Sequence, residues 1–322
     1  MQVIQDAIHS ADLPYRGVAT IGNYDGIHRG QLTVLERVVA RAREEGSQAV
    51  VITFDPHPVQ VLRPEQAPML LTPGGQREVL LDATGIDVLL IVRFTPEFAR
   101  TEPEDFVRSF LHRELALQEI FVGSSFVFGK QRRGNLELLE RLGAELGFGA
   151  FGIDEVLLQG QPVSSTRIRQ AIDEGKIELA MDLLGRPYSL HGTIARGDRM
   201  GMRLGWPTIN LLPDNELLPA DGVYTGRVRI PSVPGIFDCV TNVGTRPTVY
   251  ENYQHVVESH ILDFNSDVYG EKVEIQFFKR LRDERIFSTV MDLSAQIGRD
   301  VEATREYFAS RGRLQPSGGA LG

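Results

Sequence analysis

The sequence predicts an α/β fold in two parts: a Rossmann-like layer, then a small antiparallel β-structure closed by a helix. Three observations carry this expectation. In the first half, apolar runs without alternation are separated by amphipathic helical stretches, the pattern of a parallel sheet covered on both faces. After Leu184 the segments become short and β-like, with Gly, Pro, Asn and Asp between them. Helical spacing then returns from about Val290 to Phe308.

In chain order, Gly17–Ile21 reads as a short apolar strand, and Leu32–Glu45 carries apolar residues at helical spacing among arginines and glutamates. Ala49–Phe54 and Val88–Phe94 are buried strands and Glu119–Val122 marks a fourth, with helical patterns at Pro103–Glu114 and Asn135–Leu146. Ligands of such sheets bind at the carboxyl ends of the strands, so the loops after Ile21, Phe54 and Val122 are expected to line one crevice. Gly185-Arg186-Pro187 punctuates the join, giving domains 1–185 and 186–310. The second contains β-segments at Leu190–Ala195, Val223–Ile230, Phe237–Val243, Val256–Phe264 and Lys272–Phe278, a barrel or a sandwich. The tail from Arg311 (311–322) reads as disordered.

At 322 residues the chain is long enough for two cores, and 42% hydrophobic with 24% charged residues is ordinary for a globular protein. No apolar run approaches a membrane span and the first residues lack an export pattern, so a cytoplasmic protein with no membrane partner is expected. Cys239 is the only cysteine, which excludes an internal disulfide and a thiolate metal cage; in its apolar strand it reads as a small core residue. A formal charge of −9 argues against a nucleic-acid binder, because phosphate-backbone affinity needs a basic surface.

The chemistry-bearing motifs fall on loops. Gly22-Asn23-Tyr24-Asp25-Gly26-Ile27-His28-Arg29-Gly30-Gln31 joins a strand to a helix. Its glycines admit a ligand close to backbone, the helix start offers N–H groups to phosphate, and His28 can donate to developing phosphate charge. The plainer reading is a turn with a surface histidine. Asp55-Pro56-His57-Pro58 follows another strand, and Ser164-Ser165-Thr166-Arg167-Ile168-Arg169 opens a helix with hydroxyls and arginines suited to a polyphosphate, beyond what N-capping alone needs. In the second half, Gly197, Gly201 and Gly205 space a loop that reads as a flap over phosphates, or as a plain turn. Thr208 and Asn210 stand two apart on the extended stretch that follows, able to present oxygens to one Mg²⁺. Two motifs are decoys. Gly147–Gly152 spells GxGxxG but follows a helix and leads into a strand, and Gly123–Lys130 is one residue too long for a P-loop.

These phrases, in this order, resemble the bacterial bifunctional riboflavin kinase/FMN adenylyltransferases, over roughly residues 15–310. The first half is similar to the family's GNFDGVHRGH, FDPHP and SSTxIR motifs. The second carries Gly222-Val223-Tyr224, Asn242-Val243-Gly244-Thr245-Arg246-Pro247-Thr248, Glu258-Ser259-His260, Tyr269-Gly270 and Leu281-Arg282 in the family's order.

The resemblance implies a nucleotidyltransferase domain followed by a riboflavin kinase β-barrel, with ATP as substrate, Mg²⁺ as cofactor, and riboflavin, FMN and FAD as substrate and products. It implies that His28 serves adenylyl transfer with Gly22, Asn23, Asp25, Gly30 and Gln31, and that Ser164, Ser165, Thr166 and Arg169 hold the triphosphate. By the same resemblance Ser125, Phe126, Phe128 and Arg282 meet flavin, Gly197, Gly201 and Gly205 cover the kinase nucleotide, and Thr208 and Asn210 hold the metal. Glu258 is then the base for the ribityl 5′-hydroxyl. Gln31 stands where the family has a second histidine, and Ser125 where it usually has Asp or Asn. Those departures raise the alternative of a riboflavin kinase only, with an impaired first domain. A flavin-binding module with inactive sites is a third reading, opposed by the intact Thr208, Asn210 and Glu258.

Overall fold

The computed structural model describes residues 1–196, 200–247 and 253–311. It divides into two compact units, the first ending at Ser164 and the second beginning at Ser165. Each is taken in turn.

The first unit runs β1 (Gln2–Gln5), β2 (Val18–Ile21), α1 (Arg29–Glu44), β3 (Ala49–Asp55), α2 (Pro58–Leu62), α3 (Gly74–Asp82) and β4 (Val88–Arg93). It continues with α4 (Pro103–Phe106), which passes into a π-helical stretch Val107–Glu114, then β5 (Glu119–Gly123), β6 (Val127–Phe128) and β7 (Gly134–Asn135). It closes with α5 (Leu136–Leu146), β8 (Gly149–Ile153), β9 (Leu157–Leu158) and β10 (Gln161–Pro162). Six strands form one parallel sheet in the order β1-β4-β3-β2-β5-β8. Both faces are covered, as the unalternating strands require. Val18, Val51, Leu89 and Phe121 pack with α1 and α3 on one face; Ala19, Ile52, Leu90 and Ile120 pack with Phe106, Phe110, Leu139 and Leu142 on the other. This is the expected Rossmann-like layer. The decoy GxGxxG is part of it: Gly147 adopts φ 85 to end α5, and Gly149 begins β8.

The connections place the site. From β2 the chain winds to one side through β3 and β4, then returns to lay β5 on the other side of β2. The order therefore reverses between β2 and β5, and the crevice at such a switch point opens at the carboxyl ends. The loops after β2, β3 and β5 all leave from that end.

The second unit opens with α6 (Ser165–Asp173) and α7 (Ile177–Leu184). There follow β11 (Tyr188–Ala195), α8 (Met200–Arg203), β12 (Ile209–Pro213), β13 (Gly222–Ile230), β14 (Val233–Pro247), β15 (Tyr253–Ile261), β16 (Lys272–Arg282) and α9 (Val290–Ser310). The six strands close into an antiparallel barrel, β11-β12-β15-β14-β13-β16, which decides between barrel and sandwich. Strict alternation sorts its side chains. Tyr224 and Phe277, edge to face at 5.4 Å, fill the interior with Cys239, Thr241, Val257 and Ser259. Burial pushes the Cys239 thiol up to about 12, as befits an inert core residue. Outward-facing Val223 and Val240 are covered by α9 through Ile297 and Val301, and Phe278 packs with Tyr307, Phe308 and Met181. The tail after Arg311, expected to be disordered, lies outside the described residues.

Candidate active sites

The β2–α1 loop is held from below by its own polar groups. Tyr24, 3% exposed, donates to or accepts from Thr20 Oγ1 at 2.6 Å, and burial raises its phenol well above the ordinary tyrosine range. Asp25, 4% exposed, accepts from Leu71 N at 2.9 Å, Thr72 N at 3.0 Å and Thr72 Oγ1 at 3.2 Å. These bonds tie the loop to the segment before α3, so Asp25 shapes the loop from within it. Gly22 N donates to Ile52 O at 3.0 Å, and Thr53 Oγ1 donates to Asn23 O at 3.1 Å.

His28 is no surface residue: it is 8% exposed and caps α1. Its Nδ1 accepts the Gln31 backbone N–H at 3.3 Å, while Gln31 Oε1 accepts the His28 backbone N–H at 3.1 Å, a reciprocal capping box. A backbone N–H can only donate, so Nδ1 holds a lone pair and the neutral ring carries its proton on Nε2. Gly30 makes room for that ring. A Cβ on Gly30 would sit 3.3 Å from both His28 Cε1 and Nδ1. Gln31, where the resembled family has histidine, thus takes part in orienting His28.

The loop after β3 repeats the device. His57 caps α2, with Nδ1 accepting Val59 N–H at 3.2 Å and Gln60 Oε1 accepting His57 N–H at 3.1 Å. The far side of its ring meets the Asn23 carboxamide at 3.1 Å. After β5, Ser125 is exposed, whereas Phe128 is 9% exposed and stacks on Phe126 at 5.6 Å while packing against Phe106. Phe128 therefore belongs to the core as well as to the loop. Ser164 ends this unit, and Ser165, Thr166 and Arg169 lie on α6 in the other. A cleft of about 490 Å³ lined by Arg16, Ser47, Asp87 and Gln118 opens at the opposite, amino end of the sheet, away from these groups.

On the barrel, register brings residues together. Asn210 on β12 pairs with Glu258 on β15, which pairs with Asn242 on β14. Directly opposed residues share a face, with Cβ atoms about 5 Å apart. Their neighbours Ile209, Thr241, Val257 and Ser259 point inward, so the three face outward as one polar row. Thr208 immediately precedes β12, with its side chain beside Gly201 of α8. His260, two residues beyond Glu258 on the same face, donates from Nδ1 to Pro207 O at 2.8 Å. Trp206 stands edge-on to His260 at 5.4 Å and donates Nε1–H to Ser294 of α9 at 3.1 Å. The segment carrying Thr208 is thereby pinned beside Glu258.

Of the flap glycines, Gly197 lies outside the described residues. Gly201 lies in the helical turn α8 with no room for a Cβ beside Trp206 O, and Gly205 ends that turn at φ 82. A one-turn helix thus stands where a plain turn or glycine flap was expected. Arg282 is committed to Asp300 of α9, with Nη2 to Oδ2 at 2.8 Å, Asp300 being only 6% exposed on its side chain. Asn242 and Glu284 escaped residue-level sequence reasoning: Asn242 Nδ2 donates to Glu284 Oε1 at 3.3 Å. The signal for Asn242 was available, since it stands in a strand across from Glu258, but only the register exposes it. Among the described residues no group of three or more His, Cys, Asp or Glu is gathered as a metal cage.

The two folds and their polar groups define a two-unit protein of nucleotide-handling type: a doubly wound layer with capped helix starts at its switch point, and a barrel with a carboxamide–carboxylate row. The FAD synthetase family matches residues 11–167, and the riboflavin kinase family residues 184–308. The chain is 34% identical over 312 residues to the bifunctional riboflavin kinase/FMN adenylyltransferase of Escherichia coli K12, covering 96% of this chain and 98% of that one. It is 33% identical to the protein so described from Haemophilus influenzae, covering 96% and 100%, and 35% identical to that from Pseudomonas fluorescens, covering 96% and 98%. A crystal structure described as a macrolide-efflux protein from Streptococcus pneumoniae superposes with a TM-score of 0.86 at 28% identity, covering 95% of this chain and 99% of that one. Among the described residues no helix is long and apolar enough to cross a membrane. The chain belongs to the family of bifunctional riboflavin kinase/FMN adenylyltransferases.

Proposed function

We propose that this chain phosphorylates riboflavin to FMN on the barrel and adenylylates FMN to FAD on the first unit, using ATP in both steps. The observation that carries the reading is that both halves match, each to the family of one step, within relatives described as bifunctional. Nothing in those likenesses favours a kinase alone, despite Gln31 and Ser125. The functional domains are assigned as 1–185 and 186–310, and the protein is assigned to the cytoplasm without nucleic-acid or membrane partners.

On the barrel, Glu258 accepts the proton of the ribityl 5′-hydroxyl as its oxygen bonds to the γ-phosphorus and the bond to ADP breaks. Thr208 and Asn210 would hold Mg²⁺: two oxygen donors beside a carboxylate suit an ion that keeps few protein ligands and takes the rest from phosphate and water. When bound, that ion neutralises phosphate charge. Gly197, Gly201 and Gly205 are assigned to the nucleotide by their motif, and Arg282, fixed by Asp300, is assigned to the flavin.

On the first unit, an FMN phosphate oxygen attacks the α-phosphorus of ATP and pyrophosphate leaves, with no protein nucleophile. His28 donates from Nε2, supported by Gly22, Gly30 and the N–H groups of α1, with Asn23 as a second donor and Asp25 and Gln31 shaping the loop. Ser164, Ser165, Thr166 and Arg169 are assigned the triphosphate by their motif, and Ser125, Phe126 and Phe128 the flavin. The test is chromatography of products from purified chain with Mg·ATP, riboflavin in one tube and FMN in another. FMN from the first and FAD from the second are expected, both abolished by a chelator. FMN without FAD would leave a kinase alone.

A further inference from the structure

The loops after β2 and β3 meet at one hydrogen bond, and the groups behind it decide its chemistry. His57 Nε2 lies 3.1 Å from the Asn23 carboxamide, on the arm assigned as Nδ2. If that nitrogen faced the ring, Nε2 would have to accept and the ring proton would move to Nδ1. There it would oppose the Val59 backbone N–H, which approaches Nδ1 at 3.2 Å and can only donate. The first turn of α2 would lose its cap. The consistent network runs the other way: Val59 N–H to Nδ1, Nε2–H to Asn23 Oδ1. Carboxamide oxygen and nitrogen are distinguished by such networks.

With Oδ1 turned to His57, the Asn23 NH₂ is turned away from it as a double donor at an exposed loop position. The frame around it is fixed, because Thr53 Oγ1 holds Asn23 O at 3.1 Å and Gln60 Oε1 holds His57 N–H at 3.1 Å. A donor aimed before its ligand arrives needs no reorganisation when charge develops. We propose that His57 is a positioning residue for adenylyl transfer: its Nε2–H holds Asn23 Oδ1 so that the Asn23 amide presents N–H donors to the phosphates of ATP. This role rests on the reading of the first unit as the adenylyltransferase.

The experiment measures FAD formation from FMN and Mg·ATP by the full chain, with riboflavin phosphorylation in the same preparations reporting that the chain is folded. His57→Ala and Asn23→Ala are each expected to lower kcat about 10- to 100-fold, as loss of an orienting partner does. The double variant should fall no further than the worse single one, because both remove the same donor. His57→Asn keeps an oxygen that caps α2 but is too short to reach Asn23, so it should be as slow as His57→Ala. Restoration of wild-type kcat by His57→Asn would show a cap and nothing more, and multiplicative losses in the double variant would show two independent residues; either overturns the proposal. Nitrogen-15 NMR of the ring should find Nε2 protonated and Nδ1 bare, and the opposite tautomer overturns it independently of activity. A wild-type chain that makes no FAD removes the adenylyltransferase reading and this role with it, before any variant is made. Wild-type turnover with unchanged His57 variants removes only the role of His57.

Discussion

Gly30→Ala should make the first unit slightly more stable and its reaction slower. Gly30 lies in the first turn of α1 at an ordinary negative φ, so alanine is allowed there and gains helix propensity, on the order of 0.5 kcal/mol at a helix start. Its Cβ, however, would stand 3.3 Å from His28 Cε1 and Nδ1 and 3.6 Å from Val163 O. A Cβ contact of 3.3 Å is tighter than nine in ten real ones, so the imidazole must yield by a few tenths of an ångström. The ring can give that much by lengthening its already long bond from the Gln31 N–H to Nδ1, 3.3 Å, at less than the propensity gained. Misplacing a reacting group by about 1 Å costs about 10²-fold, so a shift of a few tenths should cost about 3- to 10-fold in kcat for FAD formation. Steady-state FAD formation and a calorimetric scan on one preparation check both signs, with FMN formation unchanged as the control. A more stable variant with full FAD activity would refute the claim that His28's position matters, and a less stable one would refute the packing argument.

Glu258→Ala should abolish FMN formation, a loss on the order of 10²–10⁴-fold, while flavin binding and FAD formation from supplied FMN persist; normal turnover removes Glu258 as base. Gln31→His should raise FAD formation, about tenfold if the added charge reaches the α-phosphate, and an unchanged rate means the position is not limiting. Asp87 accepts from Arg43 at 2.6 Å and from Ala49 N at 2.8 Å, and the Arg43 guanidinium holds its carboxyl below the usual carboxylate range against the opposing pull of burial. A depressed folded value contributes stability above the unfolded pKa of about 4 and loses it as pH falls through the folded value. Asp87→Asn should therefore cost about 1–2 kcal/mol at neutral pH, with half-exposed Arg43 limiting the figure, and the gap to wild type should close below about pH 4. Calorimetric transitions at both pH values measure it.

The sequence showed the parallel layer because its central strands are buried on both faces and so read as unbroken apolar runs. It hid β1, whose burial pattern leaves only Ile4 covered at the sheet edge. Motif residues could be named but their postures could not. The resemblance names Asp25 for the nucleotide site, and only the structure shows that its carboxylate meets Leu71 and Thr72, a contact across more than forty residues that no local pattern encodes. The resemblance names Phe128 for the flavin, and only the structure shows that it also packs against Phe106 and beside Gly134. The capping boxes at His28 and His57 were legible in principle, since each histidine is followed three residues later by glutamine.

The two units secure their polar groups by different means, and this sets where each is vulnerable. In the first, His28 and His57 sit at helix starts that follow parallel strands, and their ring tautomers are fixed by backbone N–H groups one turn on. Changes there act through caps and loop packing, and the sheet beneath can stay intact. In the barrel, Asn210, Glu258 and Asn242 sit within strands, where only the register decides which way they face. A slip of one residue in β15 would turn Glu258 into the interior beside Thr241 and bring Ser259 out. The inward hydroxyl pair Thr241–Ser259, at 2.5 Å with both residues fully buried, opposes that slip because it would be broken. Thr241 and Ser259 lie on the opposite face of the strands from Glu258, and they hold the register that keeps it facing outward.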